Sequence, residues 1–526
     1  MTENENTPDE AAALPAEPTG AEFDDDHELT GAPEPESSTR RPVSAKAAAA
    51  VGARVVVGVL GIGVAAAAIL GSTFLELPSS TATPPSERVV PVPTAQQLTC
   101  PGPLLRLSDE SGAAASAVFT LGQASTRFSS STGAVEQTRI TASDAQPGET
   151  VAEPLILSAA PDAQAPDLDV RLSGAQSQSV AIGDYVGFAA AACRAVGGDS
   201  WLIGGATTTG RTTLVSLTNP TEVASTVTLE IFGEQGAVSA AGTAGIVVPP
   251  NGQRVLSLAG FAPGLSSPIV HVTSTGGQIT AELQQSIVRG LDPGGVEIIG
   301  ATQPPSRSVL LPNVVVTSLE AIQALRGTAA QTDDVIAAIR VFVPGEESST
   351  ISATLTPANT AQDPIRFSLD VSAGVVTDIP IEELATGAYT VVVESEEPIV
   401  AAARTTSAVI APDGGISATD FAWFTASPAL DSDTQFTVAP ELNAVIAVAN
   451  PGDQAVNVSV TSEGSTEEFT IDADATLRLP APSGETFMVA HTERVYVSVT
   501  HAANGFLAAY SIAPQTPGSS PLTVFP

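Results

Sequence analysis

The chain has 526 residues, too many for one compact core, and three or four domains is the expected division. Hydrophobic residues make up 43% but aromatics only 4%, and 44 Gly and 41 Pro accompany them, a composition of short strands and many turns. Twenty basic against 57 acidic residues give a net charge of −37, which opposes phosphate backbones and argues against a nucleic-acid partner.

Residues 1–39 hold 12 acidic side chains, several prolines and no Lys or Arg, so they cannot bury enough apolar surface to fold alone. With the basic stretch that follows, residues 1–54 read as a disordered tail. Val55 to Leu75 ("VVVGVLGIGVAAAAILGSTFL") is 21 positions without a charge. As a helix it spans roughly 32 Å, close to the hydrocarbon core of a bilayer. Arg40, Arg41, Lys46 and Arg54 precede it, and no cation follows until Arg88. The positive-inside rule therefore predicts a single-pass anchor in the lipid bilayer, with the N-terminus cytoplasmic and residues 76–526 extracytoplasmic. A cleaved signal peptide fits less well, because 54 residues precede the run and no Ala-x-Ala follows it. Residues 76–97 ("…PSSTATPPSERVVPVPTAQQ") are a Pro/Ser/Thr linker.

Residues 98–199 carry weaker strand patterns and read as a first β-unit. Cys100 opens it and Cys193 lies near its end. Outside the cell two such cysteines are expected to form a disulfide, and with no others in the chain the pairing is unambiguous.

Beyond this the chain repeats. "LVSLTNPTEVASTVTLEIFGEQGAV" (214–238), "AIRVFVPGEESSTISATLTP" (338–357) and "AVIAVANPGDQAVNVSVTSEGSTEEF" (444–469) each give an apolar strand, a turn with Pro220, Pro344 or Pro451, and an alternating strand. Val227, Leu229 and Ile231, then Ile351, Ala353 and Leu355, then Val456, Val458 and Val460 form the inward face of that second strand. Each copy ends in another hairpin, at 269–283, 389–403 and 487–501. The expected fold class is mainly β: tandem immunoglobulin-like β-sandwich units over 200–305, 306–425 and 426–526, with a β-propeller-like array as the alternative.

Little in the chain predicts chemistry. "GGDSWLIGG" (197–205) places Ser200 in a glycine-flanked loop, but a nucleophilic serine needs a histidine within reach. His27 lies on the other side of the anchor. His271 and His491 take matching places in the terminal hairpins of two repeats, as strand-face residues would, and His501 follows "VYVSVT", where it would cap the strand end. Ser200 reads as a turn that feeds a buried Trp201. No metal or cofactor site is expected. Asp162, Asp167 and Asp169 read as a solvated loop rather than a Ca²⁺ site, and "FAWF" (421–424), with Trp423, as core packing at the entry to the third repeat.

The acidic tail, single anchor, Cys100, "DSWLIGG" and "LVSLTNPTEVASTVTLEIFGEQG" together resemble a family of actinobacterial envelope proteins of unknown function, often labelled large exoproteins. The second repeat departs by having Val343 where Asn219 and Asn450 precede Pro. The resemblance implies no catalytic residue. It implies an envelope glycosyltransferase as a neighbour, because members tend to be encoded beside one. The expected function is a non-catalytic binding or scaffold protein of the cell envelope, touching that enzyme or wall polysaccharide. The alternatives are a hydrolase using an unrecognised carboxylate pair, and a surface adhesin or stalk.

Overall fold

A computed structural model describes residues 95–107, 118–140, 153–162, 170–328, 332–382 and 384–515, and the backbone of 87–89 and 522–524. Those two short segments pair antiparallel, so part of the linker forms a strand. The apolar run from Val55 to Leu75 and the cations Arg40, Arg41, Lys46 and Arg54 lie outside the described residues. Among those described, no helix is long and apolar enough to cross a membrane.

The fold is mainly β, with one α-helix, Leu319–Thr328, among the described residues. Alternation builds it. Strands Ser225–Gly233, Ser349–Pro357 and Val456–Ser462 bury every second residue, including all nine positions expected to face inward. In each repeat these strands contribute to one sheet of a facing pair, and the apolar faces of both sheets meet in a shared core. The expected hairpins are not formed: the strands on either side of each turn cross to different sheets and do not pair with each other, and residues 389–403 run within the single strand Gly387–Ile410.

The second unit pairs a sheet of Asp199–Ile203, Ile269–Gly276, Ser225–Gly233 and Gly236–Val238 with one of Gly252–Ser257, Arg211–Asn219, Thr280–Arg289 and Asp292–Gly300. In the third unit one strand, Gly387–Ile410, serves both sheets. Its first half pairs with Ser306–Val316 and Ser349–Pro357, and its second half with Ala338–Phe342 and Ile416–Thr425. The fourth unit sets Thr434–Thr437, Thr486–His491, Val456–Ser462 and Ser465–Ile471 against Ala444–Asn450, Val495–Ala503, Ala475–Ala481 and Phe506–Ser511. The first unit is smaller: Gln96–Cys100, Leu155–Ala159 and Glu136–Arg139 face Ser125–Ser130, Leu172–Ile182 and Tyr185–Ala192.

The Asn-Pro turns have a local cause. Asn219 Oδ1 accepts from Thr221 N and Asn450 Oδ1 from Gly452 N, while each Nδ2 donates to carbonyls across its turn. Val343 cannot do this. In its place the backbone of Val343 bridges to Ala373, and its carbonyl accepts from Gly374 N at 2.9 Å.

The four units close around an axis. Each ends in a hairpin whose last strand is an edge strand: Tyr185–Ala192, Asp292–Gly300, Ile416–Thr425 and Phe506–Ser511. These four pack on one another in chain order, and the last returns to the first. The facing sheets within each unit are consistent with the expected β-sandwiches.

At the centre lies Asp420, 0% exposed. Its carboxylate accepts one backbone N–H from every unit: Phe188 at 2.9 Å, Val296 at 3.2 Å, Phe421 at 3.0 Å and Leu507 at 3.3 Å. Inner edge strands turn unpaired donors toward the axis, and a buried donor without a partner costs about 1–3 kcal/mol. Asp420 satisfies four at once. Glycines make the approach possible: a Cβ on Gly187 or Gly295 would lie 2.9 or 2.5 Å from Asp420 Oδ1.

Asp420→Asn replaces one acceptor oxygen with an amide and strands two of the four donors. It is expected to destabilise the chain by about 2–6 kcal/mol, at about 1–3 kcal/mol per unpaired donor. Denaturant unfolding measures this, and an unchanged midpoint would show that the units meet without relying on this carboxylate.

Candidate functional site

Cys100 ends its strand and Cys193 follows the inner strand of the first unit. Both are buried, and they are bonded to each other, with Cα atoms 4.1 Å apart. Gly174 leaves room for the bridge, since a Cβ there would lie 3.0 Å from Cys193 Sγ. Closing a loop with a sequence separation of 93 is worth about 4–5 kcal/mol on the chain-entropy estimate.

Beside the disulfide a cleft of about 230 Å³ opens where three units meet. Cys193 and Arg194 line it from the first unit, Asp199 and Ser200 from the second, Gln435 and Gln515 from the fourth. The two glutamines close its edge. Gln515 Nε2 donates to Leu172 O and Gln435 O, and Gln435 Nε2 donates to Ser129 O and Ser173 Oγ. Arg194 reaches across Gly300, where a Cβ would sit 2.9 Å from its Nε, and donates to Ser511 Oγ at 2.9 Å. Behind it Glu282, buried on the strand Thr280–Arg289, is pushed up to about 8 by burial, with the charge of Arg194 opposing the shift.

Ser200 lines this cleft as a strand residue, not as the expected turn. In the strand Asp199–Ile203 it pairs with Val272, whereas Trp201 pairs with His271, so Ser200 and His271 occupy opposite faces. His271 lies flat on Trp201, ring centroids 4.1 Å apart, with Nδ1 2.8 Å from Glu230 Oε2 and Nε2 3.0 Å from Asp199 Oδ2. It is a strand-face residue held by carboxylates. His491 is another, its Nδ1 2.7 Å from Glu493 O.

His501 does not cap a strand end. It sits inside Val495–Ala503, fully buried against Phe188 and Tyr510, and burial lowers it to about 4. The FAWF residues are buried in the inner strand of the third unit, and Trp423 Nε1 donates to Gln285 Oε1 at 2.8 Å. Asp167 and Asp169 lie outside the described residues, and no His, Cys, Asp and Glu grouping suited to a metal occurs among those described.

Sequence reasoning did not single out Asp420, Glu297 or Glu282. The available signal was an acid inside an apolar strand, as in "TDFAWF" and "GGVEIIG". Burial raises both Asp420 and Glu297. Four N–H donors oppose the shift at Asp420, whereas the proximity of Asp420 adds to it at Glu297, whose Oε2 has no partner among the described residues. The donors favour the charged form at Asp420, and Glu297 lacks that counterweight.

The architecture is that of a multi-unit β-protein closed around a buried carboxylate, with clefts at its unit junctions. The chain belongs to a family of unknown function (DUF5719), whose model matches residues 140–482. That span holds Cys193, Asp420 and the three stretches 214–238, 338–357 and 444–469; Cys100 and the inner strand Phe506–Ser511 lie beyond it. No curated protein matches the chain.

Glu282 predicts a pH dependence. Its folded value near 8 exceeds the ordinary 4.5, so the folded state holds a proton that the unfolded state releases between those values. Its contribution to stability is present below about 4.5 and is lost as pH rises through 8. In paired unfolding series, the stability of Glu282→Gln relative to the native chain should rise across this window, by at most on the order of 5 kcal/mol. His501 titrates in both proteins and cancels. A difference independent of pH would contradict the assignment.

Proposed function

We propose that the chain is a membrane-anchored, extracytoplasmic binding or scaffold protein of the cell envelope, accessory to polysaccharide or glycosyltransferase machinery and without catalysis of its own. We read its two-sheet units as immunoglobulin-like modules assembled into one platform. The reading of location rests on the asymmetric charge around residues 55–75. A disulfide between Cys100 and Cys193 fits it, because such bonds persist in oxidising compartments.

The observation that carries a binding role is the cleft beside the disulfide. Three units contribute to it, and amide and hydroxyl groups stand beside apolar surface from Leu98, Ile279 and Phe436. That mixture suits a hydroxyl-rich polymer segment, which offers many hydrogen bonds and little charge. The units are fastened to each other, so the cleft is preformed and binding costs little ordering entropy.

Crosslinking the full-length chain in native membranes, followed by affinity purification, should recover an envelope glycosyltransferase, a polysaccharide-export protein or wall glycan. Recovery of the chain alone would remove the accessory role. Protease added to wall-stripped cells should digest residues 95–515 and spare an epitope within 1–39; loss of that epitope would overturn the location.

A further inference from the structure

A second cleft lies between the second and third units. Its volume is about 330 Å³, within the roughly 300–1,000 Å³ of small-molecule sites. Its wall is an ionic network. Arg211 forks onto Asp334 with bonds of 3.0 and 2.9 Å, and Arg289 reaches the same carboxylate at 3.0 Å. Arg340 forks onto Asp378 at 2.7 and 2.9 Å and donates to the carbonyls of Gly205, Ser266 and Pro268. These arginines hold both carboxylates below the ordinary range against the opposing effect of burial.

Arg404 completes the set and is different. It is 6% exposed and lines the cleft, yet it donates no hydrogen bond to any described residue, and its buried Nε has no partner. Its contact with the third unit's Trp423, whose ring lies 5.5 Å from the guanidinium carbon, is electrostatic and leaves the N–H groups free. Among the described residues, four guanidiniums thus face two half-buried carboxylates, in a chain of net charge −37. The exposed Asp333 stands at the rim. A buried cation with unused donors is expensive unless an anion completes it.

We propose that this cleft binds a phosphate group carried on a small organic body, with Arg404 as its principal donor. A guanidinium matches phosphate oxygens in bidentate geometry, and a phosphate monoester carries about −1.5 to −2 charge at neutral pH, enough to complete Arg404. The hydroxyls of Thr208 and Thr209 stand at the mouth, and the remaining volume accommodates the rest of an ester. This site is separate from the disulfide cleft, and its assignment does not depend on where the chain is displayed.

Thermal unfolding of the full-length chain, titrated at constant ionic strength with hexose 1-phosphate, inorganic phosphate, acetate or chloride, tests the proposal. Both phosphates should raise the midpoint saturably, the ester at lower concentration, while acetate matches chloride. Arg404→Met should weaken the ester at least tenfold. Because that arginine is buried, Thr209→Glu provides a second variant: it places a carboxylate at the exposed mouth, removes no buried group, and should abolish the response. Equal responses in the native chain and Thr209→Glu, no response above chloride, or an equal response to acetate would each overturn the phosphate site. Saturation by inorganic phosphate with the ester excluded would overturn the ester.

Discussion

The closed arrangement of this protein depends on one carboxylate. Every β-unit ends in an edge strand, and edge strands carry donors that must be paired, covered or solvated. Here the four edges face one another around a fully buried side chain, and Asp420 accepts a bond from each. A neutral side chain with a single acceptor oxygen could not serve four donors, and a larger residue at Gly187 or Gly295 would hold the strands apart. The charge itself is costly to bury, which is why Asp420 and Glu297 are both raised, Glu297 further by the proximity of Asp420.

The same economy of few polar groups operates at the junctions farther out. Arg194 ties the first unit to the fourth, Arg340 the third to the second, and Arg478 the fourth to the third through Asn313 and Pro312. The chain has only 20 basic residues, yet several of its arginines are spent between units. Guanidiniums suit that work because they present five donors in a fixed fork and remain protonated when desolvated. Glutamines do the equivalent within the first unit, where Gln176 and Gln178 fix the segment after Cys100 by accepting from Gly102 N and Leu104 N. The junctions are therefore polar, and their clefts keep hydrogen-bonding groups available to ligands.

How much was legible follows from where each residue's partner lies in sequence. Alternation in 225–233, 349–357 and 456–462 reports burial one strand at a time, and the structure buries those faces. The strand Leu172–Ile182 misleads the same reasoning. Its Ser173, Gln176, Ser177 and Gln178 are polar but buried, because their partners come from residues 102, 121, 437 and 440. His501 was placed at a strand end because the apolar run stops there, yet the strand continues to Ala503 and the ring is sealed by Phe188 of the first unit. Ser200 was read as a turn residue, yet it belongs to the strand Asp199–Ile203, whose partner lies some seventy residues away and sets it on the face opposite His271.

The sequence by itself determined the local matters: β content, the alternating strands of the repeats, the Asx geometry at Asn219 and Asn450 and its absence at Val343, and the only possible disulfide. Each of these rests on side-chain period, on turn chemistry within a few residues, or on elimination. Only the tertiary structure decided that the units close on one another, that Asp420 lies at their meeting point, and that Arg404 faces a cleft without an acceptor. Those facts depend on residues more than a hundred positions apart, and no periodicity along the chain records which buried donors a given acid or arginine will meet.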